Sequence, residues 1–190
     1  MIFDPARHEY RDGEERILSV TQVLKRAGLI DDRWYTEEAR DRGSAVHKFC
    51  QIYAEGIRHD RQGRELAGLQ YVAGLARWME ETRAYAIHTE RMIENTLNGY
   101  RYAGTYDLLA EIHGARILID YKTGPAAHWH PAQIAAYSLA EKPRAAGILY
   151  LRADKPAIER RLSGSELLHA IDAFKRALEK AHENPQEDDL

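Results

Sequence analysis

Cysteine is almost absent from this chain: Cys50 stands alone among 190 residues. One thiol per chain excludes an internal disulfide framework, a thiolate zinc site and a cysteine-ligated iron–sulfur cluster. Long apolar runs are missing too; none approaches the roughly 20 residues of a membrane-spanning helix, so no membrane partner is expected. The opening segment carries Asp4, Arg7 and Glu9 and does not read as a signal peptide. A reducing, cytoplasmic setting is the expectation. The chain also lacks excess positive charge, with 27 Lys and Arg against 30 Asp and Glu and a net charge of −3. Binding to nucleic acid by bulk charge alone is excluded. A local basic groove remains open, because acids concentrate in the tail Gln186-Glu-Asp-Asp-Leu190 and around a central cluster. No G-x-x-x-x-G-K-[ST] phosphate loop occurs, so any motor must be another protein.

What is present suits one well-buried domain over residues 1–190, with 44% hydrophobic residues and no internal repeat or dividing linker. Residues 1–86 read as mainly helical. Ile17 to Gly28 forms a short helix that Ser19 or Thr21 could cap, with Val20, Val23, Leu24 and Ala27 as its stripe. Thr36 to about Gly56 is a longer helix burying Val46, Phe49, Cys50 and Tyr53. A third spans about Arg64 to Tyr85 through Leu66, Leu69, Val72, Ala76 and Met79. Residues 87–162 hold the sheet: strands near Ile87–Leu97, Tyr100–Ile112, Ala115–Tyr121, Ala146–Arg152 and Ala157–Leu162. Pro131 opens a helix running to about Glu141 between the third and fourth strands. Ser163-Gly-Ser-Glu166 is a capping box for a final helix over 163–184, and 185–190 form an acidic tail.

Two turns fix where the acids of the sheet fall. With Asn98-Gly99 as a two-residue hairpin loop, Leu97 pairs with Tyr100 and Glu90 lands opposite Asp107. With His113-Gly114 as the next loop, Ile112 pairs with Ala115 and Asp107 lands opposite Asp120. Like charges directly across a sheet destabilise it. Three carboxylates in one row therefore point to a bound cation, and Lys122, two residues beyond Asp120, shares their face. Period-two alternation places Tyr102, Tyr106, Leu108, Ala110, Ile112, Ile117, Ile119 and Tyr121 on the opposite face. Hard oxygen donors of this kind suit Mg²⁺ or Mn²⁺, which could orient a phosphate and acidify a bound water. Alone, an Asp-X-Lys strand is equally readable as a surface ion pair.

Two helical segments add polar groups. His47 ends Arg42-Gly43-Ser-Ala-Val-His47, with Gly43 one turn earlier on the same face, where the helix could approach a sheet or ligand closely. Arg40, Arg42 and Lys48 surround it as candidate phosphate contacts or as an ordinary solvated helix face. Gln133 and Tyr137, spaced i and i+4, share a face soon after the Asp-X-Lys strand.

In this order, Gly43-Ser-Ala-Val-His47, Glu90, Ala103-Gly-Thr-Tyr-Asp107, Ile119-Asp-Tyr-Lys-Thr-Gly124 and Gln133-Ile-Ala-Ala-Tyr137, the chain resembles the PD-(D/E)XK nuclease superfamily and specifically its RecB-like exonuclease branch. The opening His8-Glu-Tyr10 and Ser19-Val-Thr-Gln-Val-Leu24 look like phage-type members. The resemblance covers roughly residues 8–140. It implies an α/β, restriction-endonuclease-like core: a central mixed sheet of about five strands flanked by helices, here with extra N-terminal helices. It also implies that His47, Asp107, Asp120 and the backbone carbonyl of Tyr121 ligate Mg²⁺ or Mn²⁺, with Glu90 as a further acidic position. Lys122 is then the catalytic lysine, acting with Asp107 and Asp120, while Gln133 and Tyr137 support the site or the DNA. Tyr106 stands where the superfamily's naming proline would be, Asp120 holds a place often taken by Glu, and the four-cysteine cluster of many relatives is missing.

The expectation is a metal-dependent DNA nuclease, an exonuclease leaving 5′-phosphates, in the cytoplasm of a bacterium or phage-infected host. DNA is the expected partner, with a recombination or replication protein as a further one. The alternatives are a non-catalytic nucleic-acid-binding or assembly subunit, a structure-specific endonuclease and a metal-binding regulatory domain.

Overall fold

The computed structural model describes residues 1–4, 9–31, 36–56 and 69–183. The chain opens with three short antiparallel strands, β1 (Ile2–Asp4), β2 (Glu9–Asp12) and β3 (Glu15–Ile17), which form a small sheet of their own. Helices α1 (Val20–Arg26), α2 (Glu37–Ala54) and α3 (Val72–Thr82) follow. The main sheet comprises β4 (Tyr85–Leu97), β5 (Tyr100–Ile112) and β6 (Ala115–Lys122) and, after helix α4 (His130–Glu141), β7 (Ala145–Arg152) and β8 (Lys155–Arg161). Helix α5 (Gly164–Glu183) closes the described chain, and the acidic tail lies outside the described residues.

The five strands lie side by side in chain order. Tight turns make three of the four pairings antiparallel, whereas the crossover through α4 makes β6 and β7 parallel. Helices cover both faces. Val46, Cys50 and Tyr53 of α2 and Leu75, Trp78 and Met79 of α3 pack on Leu108, Ala110, Ile117, Ile119, Tyr121 and Leu149. On the other face, α1, α4 and α5 bring Val20, Leu24, Ile134, Phe174 and Leu178 against Tyr102, Tyr106, Leu109, Leu118 and Ile148. This is the mixed, helix-flanked sheet of a restriction-endonuclease-like core. No helix among the described residues is long and apolar enough to cross a membrane.

Several sequence expectations need correction. The first 86 residues are not simply helical: Asp12 pairs with Glu15 across Gly13, whose φ is 61°, and builds the β2–β3 hairpin. Ile17 consequently belongs to a strand, and α1 starts only after Ser19, whose Oγ accepts the amide of Gln22 while Gln22 Oε1 accepts that of Ser19. Helix α3 begins at Val72 and stops where Arg83 turns left-handed at φ 54°; the expected start at Arg64 lies outside the described residues. Phe49 is 39% exposed instead of buried, leaving Val46, Cys50 and Tyr53 to fill the α2 interface. Tyr102 and Tyr106 do not share a face with Leu108, Ala110 and Ile112. The pleat of β5 changes phase at Asp107, opposite Glu90, which sits at an unusual φ of 42°.

Candidate metal centre

Both hairpins adopt the expected register. Asn98 and Gly99 take φ 52° and 85°, His113 and Gly114 take 51° and 78°, and the flanking pairs are Leu97 with Tyr100 and Ile112 with Ala115. Positive φ at both central residues is what a tight type I′ connection requires, which explains Asn and Gly there. The β4–β5 register holds from its turn to the pair His88–Leu109, so Glu90 and Asp107 stand level between the pairs Arg91–Tyr106 and Thr89–Leu108. Only beyond His88 does it shift, between Ala86 and His88, and Gly104 pairs regularly with Ile93. The β5–β6 ladder runs to Leu108–Ile119, one step short of Asp107 and Asp120.

At that step the side chain of Asp107 takes the place of a backbone acceptor. Its Oδ2 accepts the backbone N–H of Tyr121 at 2.5 Å, and its Oδ1 meets Nδ1 of His47 at 2.9 Å. The imidazole descends from α2 and lies edge-on to the Tyr121 ring at 5.8 Å. In an extended strand a residue's N–H and C=O leave on the same side, so the Tyr121 carbonyl also faces β5. Donor atoms of His47, Glu90 and Asp107 all fall within 4.8 Å of one another. Asp120 lies beside this trio and pairs with Lys122, whose Nζ is 2.5 Å from Oδ2 but lacks hydrogen-bond alignment, since that oxygen has no hydrogen-bond partner. The ammonium also lies 5.4 Å from the centre of the Trp129 ring, a cation–π contact.

Burial and mutual repulsion set the charge states. Burial acts against ionised Asp107, yet the His47 imidazole, the Lys122 ammonium and the Tyr121 amide outweigh it and hold the carboxyl below its usual range. Burial, together with Asp107, raises Asp120 despite Lys122. For His47, burial opposes the charge, but Asp107 prevails and lifts the ring to about 9. Glu90 is pushed up to about 7, first by burial and then by Asp107. Its Oε1 is buried with no hydrogen-bond partner.

Gln133 and Tyr137 reach the same place from α4, joined by a 3.2 Å hydrogen bond from Gln133 Nε2 to the Tyr137 hydroxyl. Tyr137 also explains Gly104: a Cβ there would come within 2.7 Å of Tyr137 Cε1 and 3.2 Å of Val20 Cγ2. Gly104→Ala is therefore expected to displace the Tyr137 ring and destabilise the fold by about 1–3 kcal/mol. A thermal melt equal to wild type would refute that reading. Gly43 plays no such part, because a Cβ there would meet only Thr123 Oγ1, at an ordinary 3.8 Å; the helix does not press on the sheet there.

A cleft of about 1050 Å³ opens over His47, Glu90 and Lys122, and Arg40 and Lys48 line it. Arg42 is exposed outside that lining, and Lys48 bonds Gln51 on its own helix. Trp129 had no signature in the spacing of the sequence; its one local sign is its place just ahead of the Pro131 helix start. His130 braces it in a T-shaped contact at 4.3 Å and is itself anchored 3.2 Å from the Tyr150 hydroxyl.

A helix-flanked mixed sheet whose middle gathers two aspartates, a glutamate, a histidine and a lysine defines a protein of the nuclease class. The chain belongs to the PD-(D/E)XK nuclease superfamily, whose family model matches residues 21–189. Among solved structures, a candidate exonuclease from Eubacterium rectale superimposes with a TM-score of 0.62 at 12% identity, over 98% of this chain and 89% of that one. LHK-Exo, solved with dAMP, gives a TM-score of 0.45 at 15% identity, over 88% of this chain and 89% of its own. SSO0001 gives 0.42 at 18%, over 86% and 77%. At these identities the likeness to the first is one of fold. No curated protein matches the sequence.

Proposed function

We propose that this chain is a divalent-cation-dependent deoxyribonuclease of the RecB-like branch that degrades DNA from its ends. The observation that carries this reading is the convergence of His47, Glu90 and Asp107 within 4.8 Å, directly beside the Asp120–Lys122 pair. The donors fit such an ion: carboxylate oxygens and one imidazole suit Mn²⁺ or Mg²⁺, and the orphaned, buried Glu90 Oε1 needs a positive partner. Asp107, Asp120 and His47 would hold it, with the Tyr121 carbonyl and Glu90 as further donors. When bound, the cation supplies Lewis-acid charge at the phosphate and lowers the pKa of water.

The chain's own groups do the rest. Lys122 is held by Asp120 on one side and the Trp129 ring on the other, so its ammonium stays fixed where negative charge develops on the phosphoryl oxygens. Gln133 and Tyr137 orient each other behind the aspartates. Arg40 and Lys48 offer phosphate contacts along the cleft, whereas Arg42 is exposed on the same helix outside its lining.

End-labelled linear DNA and closed circles, single- and double-stranded, incubated with Mg²⁺, Mn²⁺ or chelator test this function. The expected result is loss of linear DNA from its ends with either metal, none in chelator, and intact circles. Cutting of closed circles would instead make the protein an endonuclease. Undiminished degradation in chelator would remove the cation from the reading.

A further inference from the structure

A second charged row crosses the main sheet at the end away from the metal centre. Arg116 lies four residues before Asp120 on β6, on the same face and about 13 Å away along the strand. Ile117 pairs with Ala145, so Arg144 stands beside Arg116 one step earlier, where its amide donates to the Arg116 carbonyl at 2.8 Å. Lys142 completes the group from the C-terminal end of α4. Pro143 cannot continue that helix, and Lys142 ends it at a left-handed φ of 49°, which turns the chain back towards β6. The three cations line a concavity of about 540 Å³ together with Gly114, Ala115 and Pro143, and no acid lines it. None of the three side chains forms an ion pair or a hydrogen bond among the described residues. Glu111, opposite Arg116 on β5, forms no ion pair with it either.

We propose that this concavity is a phosphate-binding exosite that holds DNA outside the catalytic cleft. Like charges side by side across a sheet destabilise it, yet no carboxylate of this net-acidic chain pairs with either arginine among the described residues. The helix dipole accounts for a cation at Lys142, at the end of α4, but for neither arginine. An anion seated between them removes the repulsion, as a cation does for the acidic row. Two guanidinium groups can fork onto phosphate oxygens, and the ammonium adds a point charge. Only Ala115 and Pro143 supply apolar side chains, so an acidic protein would find no large anchor there, whereas a phosphate backbone needs none. Leu118, between Arg116 and Asp120 on their face, is buried under α4, so the two sites are not joined straight across the sheet. A DNA molecule long enough to pass round the helix engages both. Its end is then kept at a raised local concentration near the metal centre.

The exosite rests on the DNA reading for its ligand, yet its occupancy can be measured without cleavage. Lys122→Ala protein in Mg²⁺ is titrated into a fluorescent duplex of about 40 base pairs, and anisotropy is followed over a range of salt. Arg116→Gln with Arg144→Gln in the same background is expected to weaken binding about tenfold and to lower the slope of log Kd against log salt by about 2. Lys142→Gly removes a charge at a backbone position that glycine adopts more readily; it should weaken binding about threefold and melt no lower than its parent. The rise in melting temperature with Mn²⁺ should be the same in all of them. Unchanged affinity for the duplex overturns the exosite. So does weakening that comes with a lost Mn²⁺ response, which would trace the defect to the cleft. Loss of polyglutamate binding with the duplex still held would assign the concavity to an acidic protein instead. Wild-type protein that shows the arginine-dependent binding yet cuts no DNA would sink the hydrolytic reading and leave the exosite standing. Cutting from the ends with binding unchanged in the arginine variant would do the reverse.

Discussion

Replacing Lys122 by alanine is expected to lower kcat by about 10²–10³-fold while leaving KM within a few-fold of wild type. The Lys122 side chain is only 14% exposed, and its ammonium is fixed from two sides, by Asp120 and by the face of Trp129. Its charge is thus already oriented before substrate arrives, the condition under which one electrostatic group has its largest effect on a transition state. Arginine should not restore full activity, because its longer, planar guanidinium can fork onto Asp120 and stack on Trp129 but spreads the charge that the compact ammonium holds at one point. Trp129→Leu should fall between the two, since it frees the ammonium without removing it. Steady-state rates on end-labelled DNA measure all three. Removing the lysine also leaves Asp120 buried without its cation, so the alanine variant should melt lower than wild type, and Mg²⁺ should restore part of the difference. A kcat within about threefold of wild type would take Lys122 out of the reaction.

What the sequence discloses about this site is whatever depends on local backbone chemistry. Asn98-Gly99 and His113-Gly114 demand positive φ wherever they lie, and counting outward from them brings Glu90 level with Asp107, as the structure has them, and Asp120 to the step just past the last pair of its ladder. The helix stripes of α1 and α5 and the cap at Ser163 are likewise local. What counting from turns could not disclose is the interruption at Asp107. A period-two pattern continues through it on paper, but the carboxylate captures the Tyr121 amide and Glu90 leaves the extended region, so the pleat slips by one residue. The same slip separates Tyr106 from Leu108 and draws Glu90, Asp107 and His47 together. The N-terminal sheet was foreshadowed only by Asp12-Gly13, a turn signal between strands of three and four residues. Its hold on the core comes from Arg101 and the Tyr10–Thr105 bond, contacts about ninety residues apart in the chain that no local pattern encodes.

Asp107→Asn should have a still larger effect, a loss of about 10³-fold or more in activity together with the loss of metal-induced stabilisation. Asparagine keeps the shape and can still accept the Tyr121 amide, so the sheet has no reason to open; what disappears is the charge. That charge has three dependents. It holds the His47 ring protonated to about 9, helps push Glu90 up to about 7, and supplies an anionic oxygen to the proposed cation. Metal binding in the wild type must expel the His47 proton and, below about 7, the Glu90 proton as well. Metal affinity should therefore climb steeply with pH below about 7, less steeply from there to about 9, and level off above. In the variant His47 loses its proton at lower pH, and Glu90 ionises more readily, so what remains of the pH dependence should shift towards acid and flatten. Thermal melts with and without Mn²⁺ at pH 6 and pH 8 read both effects. Wild type should gain about 2.7 kcal/mol when the ion stands at a hundred times its Kd, and more at the higher pH for a fixed concentration. An Asp107→Asn protein that melts as much higher in Mn²⁺ as wild type does would place the ion elsewhere. Calorimetry in two buffers of different ionisation enthalpy supplies the independent check, because the protons released on Mn²⁺ binding should approach two at pH 6 in wild type and fall well below that in the variant.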